Sequence, residues 1–237
     1  MDHLKEILRA ADEGRPEEIR GLLDASPELV NASGDHCVTP LHAAAEKDQL
    51  EAARVLIEAG ADLEAETTWG MTPLEWAANM GSRRVGQLLL SAGARLNVWS
   101  AAGLGLLERV ESFLDGPGRL KPGAAQARHH QLLNGEWEKL PPPDDFREAI
   151  SDAFYVACRN GHTEVGRFLL AQGADIGFRG FFGGTPLHWA AMNGHRETVE
   201  FLLESGARRD LRDNQFKSTP REWAKETHHD EIAALLA

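Results

Sequence analysis

Thr185-Pro186-Leu187-His188-Trp189-Ala190-Ala191 reads as the start and body of a short helix. Thr is a good N-cap, and Pro is tolerated at the first helical position because its missing N–H would be unpaired there anyway. Gly194 ends this helix, since glycine takes the left-handed conformation without a Cβ penalty. A second helix runs through Val199, Phe201, Leu202 and Leu203, and Gly206 closes it. The same landmarks recur elsewhere in the chain. Thr39-Pro40-Leu41-His42 returns as Thr72-Pro73-Leu74-Glu75, and Thr185-Pro186-Leu187-His188 returns as Thr219-Pro220-Arg221-Glu222. Asn160-Gly161-His162 recurs as Asn193-Gly194-His195, and the helix-ending glycines Gly60 and Gly93, like Gly173 and Gly206, are 33 apart. Several independent landmarks agree on one period, which marks an internal repeat.

One helix pair cannot bury its own apolar face, but stacked copies can, so the period predicts a quasi-one-dimensional array. The Thr-Pro-Leu-His corner at this period resembles the ankyrin family. The match is strong over residues 39–94 and 185–237, and good over 150–174, where Asp152-Ala153-Phe154-Tyr155 stands in place of the corner. The resemblance implies an all-α ankyrin-repeat solenoid of about seven helix pairs with hairpin fingers and one loop-like insertion. It implies a single domain over residues 1–237. Within it, 1–33 hold an amphipathic N-terminal capping pair with Leu4, Ile7 and Leu8 on one helix and Ile19, Leu22 and Leu23 on the next. Residues 34–94 hold two regular repeats, 95–149 a degenerate repeat and a Pro/Gly-rich insertion, and 150–237 three repeats including a C-terminal cap. In the degenerate pair the Thr-Pro corner is missing and Ala101 comes too soon after Ala77 for a full period, so its finger is expected to be lost. Gly116-Pro117-Gly118 and Pro141-Pro142-Pro143 read as loop; Gln126 to Leu133 is the part of the insertion where a helical turn or two would fit.

The formal charge of −12, from 37 acidic against 25 basic residues, argues against a nucleic-acid backbone or an anionic lipid as the main partner. No apolar run is long enough to span a membrane, and the N-terminus lacks the apolar core of a secretory signal. Two widely spaced cysteines, Cys37 and Cys158, fit reduced thiols, and the expected compartment is the cytoplasm.

For function, the resemblance directs attention to the hairpin fingertips and to the concave face built by the first helices, where ankyrin proteins usually hold their partners. Carried over position by position, this gives Trp69, Met71, Phe181, Phe182 and Phe216 on fingers, and Met80, Arg159, Met192 and Asn193 on first helices. Aromatic residues and Met are enriched in interface cores. A second stripe, four positions after each corner Thr, comprises Ala43, Trp76, Val156, Trp189 and Trp223, and suggests a groove with apolar walls. The expectation is a protein–protein interaction module, not an enzyme, that grips a protein or peptide partner, with no cofactor and no metal. The alternative is an enzyme or small-molecule binder. Its pocket would lie between the concave face and the 116–148 insertion, walled by Trp76, Met80, Tyr155 and Trp189.

The histidines read as scaffold. His42 and His188 belong to the corner, and His162 and His195 recur only because the repeat does. His228-His229-Asp230 reads as a solvent-facing corner. His129, His130, Glu136, Asp144 and Asp145 in the insertion are titratable neighbours in sequence, but their spacing matches no zinc pattern. Gly177 to Gly184 is not a phosphate loop, because no Lys-Ser/Thr follows and no strand precedes it.

Overall fold

The computed structural model describes residues 3–116, 118–125, 128–133, 136–140 and 145–237; the side chains of 128–140 and of Phe181 lie outside that description. Its helices come in successive pairs, and the residues group into two compact units.

The first unit comprises Met1–Leu96 and Ala127–Pro142. Its helices are α1 (His3–Asp12), α2 (Pro16–Ala25), α3 (Pro40–Glu46), α4 (Leu50–Glu58), α5 (Pro73–Met80) and α6 (Arg83–Ser91). First helices stack on first helices, α1 on α3 and α3 on α5, and second on second, α2 on α4 and α4 on α6. The core between the layers is built from Ile7, Ile19, Leu41, Leu56, Leu74, Val85 and Leu89, all fully buried, with alanines between them that let the helices approach. Burying each such Leu or Ile contributes about 1.5–3 kcal/mol, which is what the stacking supplies and an isolated pair lacks.

The second unit comprises Asn97–Gln126 and Pro143–Ala237. It contains α7 (Val98–Gly103), α8 (Leu107–Ser112), α9 (Phe146–Arg159), α10 (Thr163–Ala171), α11 (Pro186–Met192), α12 (Arg196–Glu204), α13 (Pro220–Glu226) and α14 (Asp230–Leu235). The same two layers form: α7, α9, α11 and α13 pack in sequence, as do α8, α10 and α12.

The corner explains why helices start where they do. Thr39 Oγ1 and His42 Nδ1 lie 2.8 Å apart, and the other ring nitrogen, Nε2, meets the carbonyl of Met71 in the following repeat at 3.0 Å. His188 repeats this, with Nδ1 2.8 Å from Thr185 Oγ1 and Nε2 3.1 Å from the Ser218 carbonyl. In the last helix pair of each unit Glu takes the place of His. Thr72 N–H donates to Glu75 at 3.0 Å and Thr219 N–H to Glu222 at 2.6 Å.

One irregular place differs from the sequence reading, and a second follows it with a start of its own. Asp152-Ala153 does not begin a helix. Helix α9 starts earlier, at Phe146, capped by the Asp145 carboxylate accepting from Arg147 N–H at 2.8 Å. Ala153 has the N–H that a corner Pro lacks, so the helix runs through the expected corner. The degenerate pair has its own start, in which Ser100 N–H donates to Asn97 Oδ1 at 2.8 Å and Asn97 N–H to Ser100 Oγ at 3.1 Å. Its missing finger is replaced by Ala124, whose carbonyl accepts from Val98 N–H at 2.8 Å.

The insertion is not simply a loop, and Arg128–Leu133 is not helical. That segment is strand β1, paired antiparallel with β2 (Glu136–Leu140) in the register Leu133↔Glu136, Leu132↔Trp137 and Gln131↔Glu138.

Candidate functional site

The finger and helix aromatics do not form two separate stripes. In the second unit they form one continuous aromatic surface. Tyr155, Trp189 and Trp223 make a buried cluster, with half-buried Phe178 and Met192 packed against it. Trp189 and Trp223 meet edge to face at 5.2 Å between ring centres, and Tyr155 meets Trp189 the same way at 6.4 Å. Onto this cluster the fingers fold back. Phe182 stacks on Trp189 at 6.3 Å, and Phe216 lies 5.9 Å from Phe182 and 6.3 Å from Trp223. Phe182 nevertheless keeps 49% of its surface exposed and Phe216 keeps 58%.

Tyr155 takes the position of the corner His. It packs edge-on against the Trp of the next repeat, as His188 does against Trp223 at 5.2 Å and His42 against Trp76 at 5.9 Å. Gly180 lies flat against the Tyr155 ring. Any Cβ there would overlap the ring, so this finger needs a glycine to pass the larger side chain.

Backbone hydrogen bonds join neighbouring fingers. Asn214 N–H donates to the Phe182 carbonyl at 2.9 Å, and in the first unit Thr68 N–H donates to the His36 carbonyl at 2.9 Å. The Phe216 finger is held by one buried carboxylate. Asp213 accepts from the N–H groups of Gln215, Phe216 and Ser218 at 2.8, 2.6 and 2.9 Å, and from Trp223 Nε1 at 3.1 Å. Burial alone would raise the Asp213 pKa, but these donors hold it below the usual carboxylate range.

Between the Phe182 and Phe216 fingers and the α11 and α13 helices lies an open groove of about 540 Å³. Its walls are Phe182, Trp189, Met192, Phe216 and Trp223, with Glu222, Glu226 and Thr227 among its polar groups. Apolar walls with a few placed polar groups are the usual makeup of a recognition site.

The remaining expected residues fall as follows. Arg159 sits over Trp189, its guanidinium carbon 4.2 Å from the ring centre, and burial lowers its pKa. Asn193 is exposed and donates to the Arg159 carbonyl at 2.8 Å. Tyr155 and Met71, at 1% and 3% exposure, lie beneath the surface and serve packing. Phe181 falls in the turn Phe181–Gly183, and its side chain lies outside the described residues. In the first unit Trp69 lies 4.7 Å from His36 and 5.6 Å from Trp76, with Met80 exposed. Trp76 and Met80 thus belong to one unit, and Tyr155 and Trp189 to the other.

Among the insertion residues, Asp145 caps α9; Asp144 and the side chains of His129, His130 and Glu136 lie outside the described residues. Among the described residues no three metal-ligating side chains come together. No helix among them is long and apolar enough to cross a membrane. Both cysteines are free, Cys37 exposed and Cys158 buried. His162, His195 and His229 each press against the glycine that ends the preceding repeat's first helix, Gly105, Gly161 and Gly194. His229 is therefore an inter-repeat wedge and not a purely solvent-facing corner residue.

Sequence reasoning misses Asp213 and Glu222, whereas Glu226 and Thr227 fall at the first-helix positions counted from Thr219. An Asp entering a finger is an ordinary turn residue, and nothing local marks it as a carboxylate that reaches the indole of Trp223 on the following helix.

A family model described as ankyrin repeats in three copies matches residues 7–99 and 147–237. No curated protein matches the chain.

Proposed function

Because the chain belongs to the ankyrin-repeat family, whose repeats generally serve as protein–protein interaction modules, we propose that it binds a polypeptide partner through the aromatic groove of its second unit. The observation that carries this reading is the exposure of Phe182 and Phe216, side by side in the lining of a 540 Å³ groove that Trp189 and Trp223 also line. Large exposed aromatics on adjacent fingers cost solubility unless something covers them. Here they are also pre-positioned, because Asp213 and the inter-finger hydrogen bond fix the backbone beneath them. A rigid aromatic surface loses little side-chain entropy on association, which favours tight binding from a small area. Asn193, Met192 and Arg159 extend the same surface along the first helices.

Peptides selected from a displayed library against the full chain test the reading. Their affinities are then measured by calorimetry for the natural chain and for a Phe182→Ala/Phe216→Ala double variant. The loss of two hot-spot aromatics is expected to weaken binding by about a hundredfold or more. Selected peptides that bind the double variant as tightly as the natural chain would remove the groove from the account.

A further inference from the structure

The chain carries its own example of a cation on this aromatic surface. The Arg159 guanidinium lies over the Trp189 ring. One repeat further on, the arrangement returns with a single change. Trp223 takes the place of Trp189, and Met192 takes the place of Arg159. Met192 packs against the tryptophan cluster as Arg159 does, but it brings no charge. The groove opens at this position, with Trp223 and Met192 both in its lining.

The groove also holds negative charge. Glu222 is occupied, since it accepts from Thr219 N–H at 2.6 Å and lies 3.2 Å from Arg212. Glu226, in the last turn of α13, is exposed and makes no hydrogen bond or ion pair with the described residues. A carboxylate with no internal partner thus borders an aromatic groove whose equivalent one repeat earlier is filled by a guanidinium.

We infer that the groove receives a basic side chain, lysine or arginine, from the partner polypeptide, its cationic head between the Trp223 ring and Glu226. This inference rests on the groove being the recognition surface. The chemistry fits at each point. Aromatic faces attract cations, and the attraction grows as water is excluded. The aliphatic stem of such a side chain covers apolar surface, here Phe182, Phe216 and Met192. A net charge of −12 steers a basic partner toward the chain before contact.

The test is a titration of the full chain, followed by the indole N–H signals of Trp189 and Trp223. The probes are Nα-acetyl-lysine methylamide, its arginine counterpart and its uncharged norleucine counterpart, at near-physiological salt. Lysine and arginine probes are expected to shift both indole signals saturably and to bind about fivefold tighter than norleucine. Glu226→Gln should erase most of that preference while leaving norleucine binding unchanged. Met192→Arg, which supplies a resident guanidinium, should weaken the lysine probe. If norleucine binds as well as lysine and Glu226→Gln has no effect, the cationic occupant is wrong while the groove remains the recognition surface. If no probe moves either indole, the inference also falls, and the recognition reading is then judged by the Phe182/Phe216 variant alone.

Discussion

Trp223 Nε1 donates to the Asp213 carboxylate at 3.1 Å, and through that one bond a finger is tied to the helix that follows it. The same carboxylate serves three finger N–H groups, so the position of the exposed Phe216 ring depends on an acidic side chain at the finger's entry.

Replacing Asp213 by Ala should therefore loosen the finger without emptying the core. Removing an ionised acceptor and leaving its donors unpaired costs about 3 kcal/mol. The expected result is loss of amide-exchange protection at Gln215, Phe216 and Ser218, together with weaker binding of groove-directed peptides. Unchanged protection at these amides would show that the loop is held by something else.

His42 is fully buried in the first unit, and burial pushes its pKa from 6.5 down to about 4, against the opposing pull of the Met71 carbonyl. The unfolded chain binds this proton more readily than the folded one between those values. Stability from the neutral ring is thus complete above about pH 6.5 and is lost as the pH falls toward 4. The His42 ring signal in an NMR titration should stay that of the neutral form down to about pH 5. A midpoint near the ordinary histidine value would contradict the buried, neutral assignment.

Asp152 behaves in the opposite sense. Burial raises its carboxyl to about 7 from 3.8, reinforced by Glu148 and opposed by the hydrogen bond from Trp99. The folded chain holds this proton more tightly, so the stabilising contribution is full below about pH 4 and disappears as the pH rises through 7. Asp152→Asn should raise the melting temperature by several degrees at about pH 8 and change it much less at about pH 5. Equal shifts at both values would mean that the carboxyl is ionised throughout.

Lys217 adopts a φ of 56° at the finger position where Gly70 and Gly183 stand at 72° and 70°. A side chain in the left-handed region is strained, whereas glycine is not. Set against the extra freedom that glycine gives the unfolded chain, Lys217→Gly should stabilise by about 0.5 kcal/mol. Urea unfolding of the two proteins would measure it, and destabilisation would point to an unseen contribution from the Lys217 side chain.

Most of the fold is legible because its signals are local. A Thr-Pro pair sets a helix start by capping and by the missing proline N–H, and its return at a constant interval sets the array. The break at Asp152 is hard to read because absence of proline is a weak signal, while Asp145, which caps the longer helix, lies in a stretch that resembles a linker. The two paired strands hide because Arg128–Leu133 and Glu136–Leu140 sit among loop-forming residues, so the composition around them masks two extended segments. The aromatic groove is half legible. Periodicity marks which rings share a side. Whether Phe182 stacks on Trp189, and which carboxylate is left without a partner, depends on contacts between residues far apart in sequence.

The corner residue gives the array a direction. Where it is His, as at 42 and 188, its second nitrogen reaches a carbonyl belonging to the next repeat. At 75 and 222, where it is Glu, the carboxylate accepts from its own Thr, and each of these begins the last helix pair of a unit. Repeats of this chain are thus not interchangeable beads. Cutting a shortened version after a histidine corner removes the carbonyl that its ring meets and opens that face of the repeat to water. The glutamate corner at 222 makes its capping bonds with its own Thr219.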